Sequence, residues 1–248
     1  AKIHEIFTNE GETVVNDHIA FRTLNDPEIN IDVLSHAFVK EGYEARGQYV
    51  FEDKHLFARH FELPGNENAP RIFISELVLE DMSPYIRDTY RKLLEQAAPK
   101  IEKYNLIFSG NIFNPLSYEI YTKFRQESEY AAWFYVFGFR ANHFTVSVNG
   151  LKKNNTLEKV NNLLLKNGFV LNSSGGDIKG TIKDMLRQSS TMADVVRINF
   201  KEGTFEIPCC YYEFAERYPN TDGKLFSGFV AKSADKIFES TDNYLLKK

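Results

Sequence analysis

Only two of the 248 residues are cysteine, and they are the neighbours Cys209 and Cys210. Adjacent residues cannot staple distant parts of a chain, so a disulfide-framed domain is excluded and both thiols are expected to be reduced, one on each side of a strand. Positive charge is also scarce. With 30 Lys and Arg against 34 Asp and Glu, the net charge is −4, which offers little affinity for a phosphate backbone and removes nucleic acid from the expected partners. No run approaches the roughly 18 to 20 apolar residues that span a bilayer. The opening Ala1-Lys2-Ile3-His4-Glu5 lacks a basic-then-apolar signal pattern, so the expected setting is the cytoplasm, without membrane partners. Nucleotide and nucleophile signatures are missing too. The loop from Ser173 to Gly180 does not have the spacing of a phosphate-binding P-loop, no GxSxG occurs, and neither cysteine has a histidine near it in sequence.

What is present is a plan told twice. Asn16-Asp17-His18-Ile19-Ala20-Phe21-Arg22-Thr23 and Ala141-Asn142-His143-Phe144-Thr145-Val146-Ser147-Val148 each open an alternating run with a polar-His-apolar step. Each run is followed by an amphipathic stretch (Ile31, Leu34 and Phe38; Leu157, Val160 and Leu164) that stops at a glycine, Gly42 or Gly168. Further alternating segments follow, and each copy closes on a strand carrying a carboxylate, Glu76 or Glu213, at similar intervals of 58 and 70 residues from its histidine. Residues 1–13 are polar and read as peripheral. Helical spacing after Ser83-Pro84, over 85–104, and again over 117–133 predicts an insertion between the copies. The expected fold class is α+β: two βαβββ modules, 14–80 and 141–217, forming a curved, partly open barrel-like mixed sheet around a metal. A helical insertion at 81–140 and a C-terminal segment at 218–248 complete one catalytic domain, 1–248. The 13 Tyr and 21 Phe are read mainly as core, with some of them walling a water-poor site.

Two histidines and one carboxylate on one face of an ion, with open positions opposite, is the donor set of many non-haem iron enzymes. His18, His143 and Glu213 supply it, one ligand from each of three strands. Glu213 is preferred because strand alternation puts Glu206 and Glu216 on the opposite face, where both read as solvated. Glu76 holds the matching place in the first module and reads as a hydrogen-bonding residue near the site. Arg22 shares a face with His18, and its Cα lies about 13 Å further along the strand at roughly 3.3 Å per residue. Its guanidinium fits the far carboxylate of a short dicarboxylic acid through two parallel hydrogen bonds, or alternatively forms an ion pair with an Asp or Glu of the protein. Gln188, Ser189 and Ser190 carry donors for a substrate or for the loop beside them.

These blocks together resemble the 2-oxoadipate dioxygenase/decarboxylase family. The likeness is carried by Asp17 to Thr23, Asn142 to Thr145, Gln188 to Thr191, Tyr212 to Arg217 and Ser233 to Ser240, and it extends over nearly the whole chain. It implies a vicinal-oxygen-chelate-like fold, with His18, His143 and Glu213 matching the metal ligands, Arg22 the substrate arginine and Ser233 a serine near the substrate. The implied cofactor is Fe(II), with zinc or nickel able to occupy the same cage. The implied partners are O2 and a 2-oxo dicarboxylic acid, 2-oxoadipate being converted to 2-hydroxyglutarate and CO2 without an external reductant. The rival readings are a glyoxalase-like or hydrolytic enzyme using zinc or nickel, and a non-catalytic binder of dicarboxylates. The sequence does not select an oligomeric state.

Overall fold

The computed structural model describes residues 2–101 and 105–242. The first module runs β1 (Asn16–Leu24), α2 (Ile31–Lys40), β2 (Glu44–Phe51), β3 (Leu56–Glu62) and β4 (Arg71–Leu77), after a short leading helix α1 (Lys2–Asn9). The insertion contributes α3 (Pro84–Ala97), α4 (Tyr118–Glu127) and α5 (Glu129–Phe137). The second module follows with β5 (Ala141–Ser147), α6 (Leu157–Lys166), β6 (Lys179–Thr181), β7 (Leu186–Ser190), the hairpin β8 (Val195–Phe200) and β9 (Gly203–Pro208), and β10 (Tyr211–Arg217). The helix α7 (Ala231–Phe238) comes last.

Eight strands form one curled half-barrel in the order β2-β3-β4-β1-β5-β10-β7-β6, while β8 and β9 pair apart from it. In each module the first strand lies parallel to the last, β1 to β4 and β5 to β10, and the two first strands meet antiparallel at the middle. The repeated histidines therefore sit on adjacent central strands, with His18 opposite Thr145 and His143 opposite Ala20. The α+β class and the curved mixed sheet are as the sequence predicts.

The register corrects one inference from the repeat. His18 faces Arg71 across β1 and β4, and His143 faces Tyr211 across β5 and β10. Five residues beyond these partners lie Glu76 and Glu216, so the counterpart of Glu76 is Glu216, and that of Glu213 is Phe73. The two matched glutamates do the same work. Glu76 accepts from the Ile31 amide at the start of α2, and Glu216 from the Leu157 amide at the start of α6, each satisfying an orphan N–H and placing negative charge at the positive end of the helix. Glu216 is buried accordingly, not solvated.

Other boundaries differ for local reasons. The run from Thr204 to Ala215 is not one strand: Pro208 has no N–H to give a ladder, and the chain turns at Cys209-Cys210 from the small sheet into the large one. The cysteines thus lie in a junction and not on the faces of a strand. They are free thiols. Residues 169–171 contribute one bridge, Leu171 to Thr191. The helix expected over 85–104 ends at Ala97 and gives way to a 3-10 turn, Ala98–Lys100; residues 102–104 of that expectation lie outside the described residues. The helix expected over 117–133 is two, because the Ser128 hydroxyl accepts from the Ala131 amide and starts α5. The start of the chain is less peripheral than its polarity suggests. Ile3 and Phe7, four apart on α1, are buried against Val146, Leu157, Val160 and Phe214.

The residues from Tyr130 to Phe137 on α5 are all buried, as a helix apolar on every side must be. It is tied to the first module by the Tyr130 hydroxyl at Ser75 and to the second by the Trp133 indole N–H, which donates to the Cys209 carbonyl. No described helix is long and apolar enough to cross a membrane.

Candidate metal centre

The central strands bring His18, His143 and Glu213 together. One potential ligand atom from each lies within 4.8 Å of the others, and all three residues are buried. Glu213 Oε2 is 3.1 Å from His143 Nε2 and 3.6 Å from His18 Nε2. Three donors held at right angles about 2.1 Å from one divalent ion are about 3 Å apart, so the separations around Glu213 suit an ion at the common point. Among the described residues this is the one cluster of three or more His, Cys, Asp or Glu side chains able to do so.

Each donor is anchored from behind. His18 Nδ1 donates to Asp17 Oδ1 at 2.8 Å, and His143 Nδ1 meets Asn142 Oδ1 at 3.1 Å. A carboxylate can only accept, so the proton of His18 lies on Nδ1 and the lone pair of Nε2 faces the site; the Asn142 oxygen selects the same tautomer in His143. Thr145 Oγ1 lies 3.0 Å from His18 Nε2. Gln188 donates its amide to Glu213 Oε1, which leaves Oε2 as the presented oxygen. The polar residue before each histidine was visible in the repeated motif, but its orienting role needed the strand geometry to appear.

Asp17 is itself clamped. Arg217 binds it through Nε at 2.6 Å and Nη2 at 2.9 Å, and its Nη1 donates to the carbonyls of Phe226 and Gly228. The strand that carries Glu213 therefore also steadies His18 and the loop leading to Phe229, whose ring packs edge-on to His18 at 4.8 Å. Burial opposes charge on all these groups, yet the pairing outweighs it for the carboxylates. Asp17, beside Arg217, and Glu213, beside His18 and His143, are both held below the usual carboxylate range. For His18 burial is outweighed by Glu213 and Asp17 and the pKa rises, whereas for His143 burial prevails and the pKa falls.

Arg22 is 1% exposed. Its Nη1 donates to both oxygens of Glu129, at 3.2 and 3.1 Å, and its Nη2 donates to Thr241 Oγ1 at 3.1 Å. The fork expected to grip a ligand is thus engaged within the protein, and Nε has no partner among the described residues. Tyr130, Trp133 and Phe238 lie around the guanidinium at 4.7, 4.9 and 5.9 Å. Ser233 is buried in the first turn of α7 and neighbours Gly180, where a Cβ would stand 2.2 Å from the Leu186 carbonyl oxygen. Tyr211, for which the sequence suggested no role, stacks on the ring of His143 at 4.6 Å.

The histidines and Glu213, with Phe73, Gln188, Tyr211, Phe229 and three residues of α7, Ala234, Ile237 and Phe238, line a cavity of about 20 Å³.

A family model described as 2-oxoadipate dioxygenase/decarboxylase matches residues 4–112 and 96–224. The chloroplastic 2-oxoadipate dioxygenase/decarboxylase of Arabidopsis thaliana is 40% identical over 259 residues, which cover 94% of this chain and 69% of the plant protein. The crystal structure of hydroxyglutarate synthase in complex with 2-oxoadipate from Oryza sativa superposes with a TM-score of 0.92 at 33% identity, covering 100% of this chain and 87% of that one. A protein from Shewanella frigidimarina NCIMB 400, described provisionally as a hydrolase, is 46% identical with a TM-score of 0.86, covering 93% of this chain and 90% of its own. With matches of this extent running across both modules and the site between them, the chain belongs to the 2-oxoadipate dioxygenase/decarboxylase family.

Proposed function

We propose that this enzyme holds Fe(II) with His18, His143 and Glu213 and converts 2-oxoadipate and O2 to 2-hydroxyglutarate and CO2. The observation that carries the reading is the orientation of the three donors, each fixed from behind by Asp17, Asn142 or Gln188 so that one atom faces a common point. When bound there, the metal would supply chelation of the 2-oxo acid and activation of O2. The protein's own part is positioning. Glu213 lends the negative charge that two neutral imidazoles lack. Gln188, whose Oε1 has no partner among the described residues, and Ser233 are the further candidates for contact with the substrate. Arg22 keeps a cation on the His18 face of β1 to meet the far carboxylate, and Phe229 and Phe238 keep water away from the reacting end.

The test is direct. Iron-loaded protein supplied with O2 and 2-oxoadipate should yield equal amounts of CO2 and 2-hydroxyglutarate, measured by mass spectrometry, with O2 consumed one for one. Turnover without O2, or with zinc in place of iron, would instead support the hydrolytic reading that the Shewanella relative's description suggests.

A cavity of about 20 Å³ holds about one water molecule and not a six-carbon diacid. Binding must therefore move the wall, and the part of the lining that belongs to no strand of the sheet is Phe229 with α7. Amide hydrogen exchange over residues 226–241 should change on adding 2-oxoadipate to anaerobic iron-loaded protein, more than in the central strands. Exchange identical with and without the acid would show that this segment is not displaced.

A further inference from the structure

We infer that the Tyr211 hydroxyl is the second hydrogen-bond donor, beside the Arg22 Nε–H, for the far carboxylate of a 2-oxo dicarboxylic acid, an assignment that rests on the substrate reading above. A carboxylate accepts through two oxygens, and a guanidinium usually meets both with parallel N–H groups. Here Nη1 already donates to Glu129 and Nη2 to Thr241. Nε is the one guanidinium nitrogen with no partner among the described residues, so a donor from elsewhere would let the carboxylate be met twice without disturbing either existing contact. Tyr211 supplies a hydroxyl that is buried and has no hydrogen-bond partner among the described residues. Buried polar groups in folded proteins are almost always partnered, and one that is not calls for an explanation such as a functional role or a bound group.

The placement agrees. Tyr211 lies two residues before Glu213 on β10 and so shares its face; it lines the same cavity as the three donors. Ala20, His143 and Tyr211 form one row across β1, β5 and β10, and Arg22 follows Ala20 by two residues on the same face of β1. The guanidinium and the phenol are close enough to act on each other electrostatically. The ring is held flat on His143, so its orientation is set before any ligand arrives. A substrate with a far carboxylate would satisfy both orphan donors, whereas a monoacid would leave them buried and unpaired.

Anaerobic titration of iron-loaded protein with 2-oxoadipate and with 2-oxohexanoate, which shares the 2-oxo acid head and chain length but lacks the far carboxylate, tests the assignment. In Tyr211→Phe, which keeps the stacked ring, the preference for the diacid should fall roughly 10- to 100-fold. Equal weakening towards both acids would put the hydroxyl at the chelating end, and an unchanged preference would leave it no role in selection; either result overturns the assignment. A wild-type readout does not depend on the variant folding. With tyrosines labelled at Cζ with carbon-13, one resonance should shift with 2-oxoadipate and stay in place with 2-oxohexanoate, and an equal response to both acids would count against the inference. Wild-type protein that does not distinguish the two acids would overturn the substrate reading and this assignment together, whereas discrimination that survives in Tyr211→Phe overturns the assignment alone.

Discussion

Replacing Glu213 by alanine is expected to weaken iron binding by more than about 100-fold and to abolish 2-oxoadipate turnover. Loss of an orienting partner of a metal ligand typically costs 10- to 100-fold, and here the proposed ligand itself goes. What remains is a pair of neutral imidazoles facing a dication, with the Gln188 amide deprived of its acceptor. Glu213→Gln, which keeps the shape and removes the charge, separates the electrostatic part of the loss from the packing part. Iron stoichiometry after anaerobic loading, measured beside O2 consumption, decides the matter; one tightly bound iron and normal turnover in Glu213→Ala would take the carboxylate out of the centre. The acid limb has a definite sign. Because the pKa of His18 is raised by its carboxylate neighbours, a proton competes for the centre, so metal loading should release protons and weaken as the pH falls through the titration of that ring.

Arg22→Ala should have the second largest effect, and on two observables at once. Its guanidinium is buried and paired with Glu129, whose side chain is 19% exposed, so its removal leaves a gap beside a partly solvated carboxylate and costs about 1 to 3 kcal/mol. The apparent affinity for 2-oxoadipate should also fall by about 100-fold, the worth of a charge-assisted contact to the far carboxylate, while iron binding is spared. Glu129→Gln distinguishes the two consequences. It should lower the melting temperature and leave the cation in place, so the KM for 2-oxoadipate should stay within a few-fold of wild type. If Arg22→Ala loses stability alone and binds 2-oxoadipate normally, the arginine is a structural ion-pair partner and nothing more.

The site was unevenly legible. His18 and His143 stood out because a duplicated motif repeats its chemistry, and Glu213 because alternation within one strand is a local property. The same local reasoning misjudged Glu216, which alternation placed on the solvated face and which in fact starts a helix from below, and matched Glu76 to the wrong glutamate. It read Cys209 and Cys210 as strand residues, since Pro208 breaks a ladder only where the neighbouring strand requires an N–H. For Arg22 both alternatives were open, and Glu129, 107 residues away, was not nameable as its partner.

From the sequence alone came the α+β class, the family likeness and the trio His18, His143 and Glu213 that the fold brings together, because periodicity and motif order are written along the chain. The tertiary structure decided the register between strands, the anchoring of each donor by Asp17, Asn142 and Gln188, the engagement of Arg22 and the orphaned hydroxyl of Tyr211. Those depend on which distant backbone lies alongside, and a hydrogen bond is settled by tenths of an ångström across elements whose relative position no local pattern encodes.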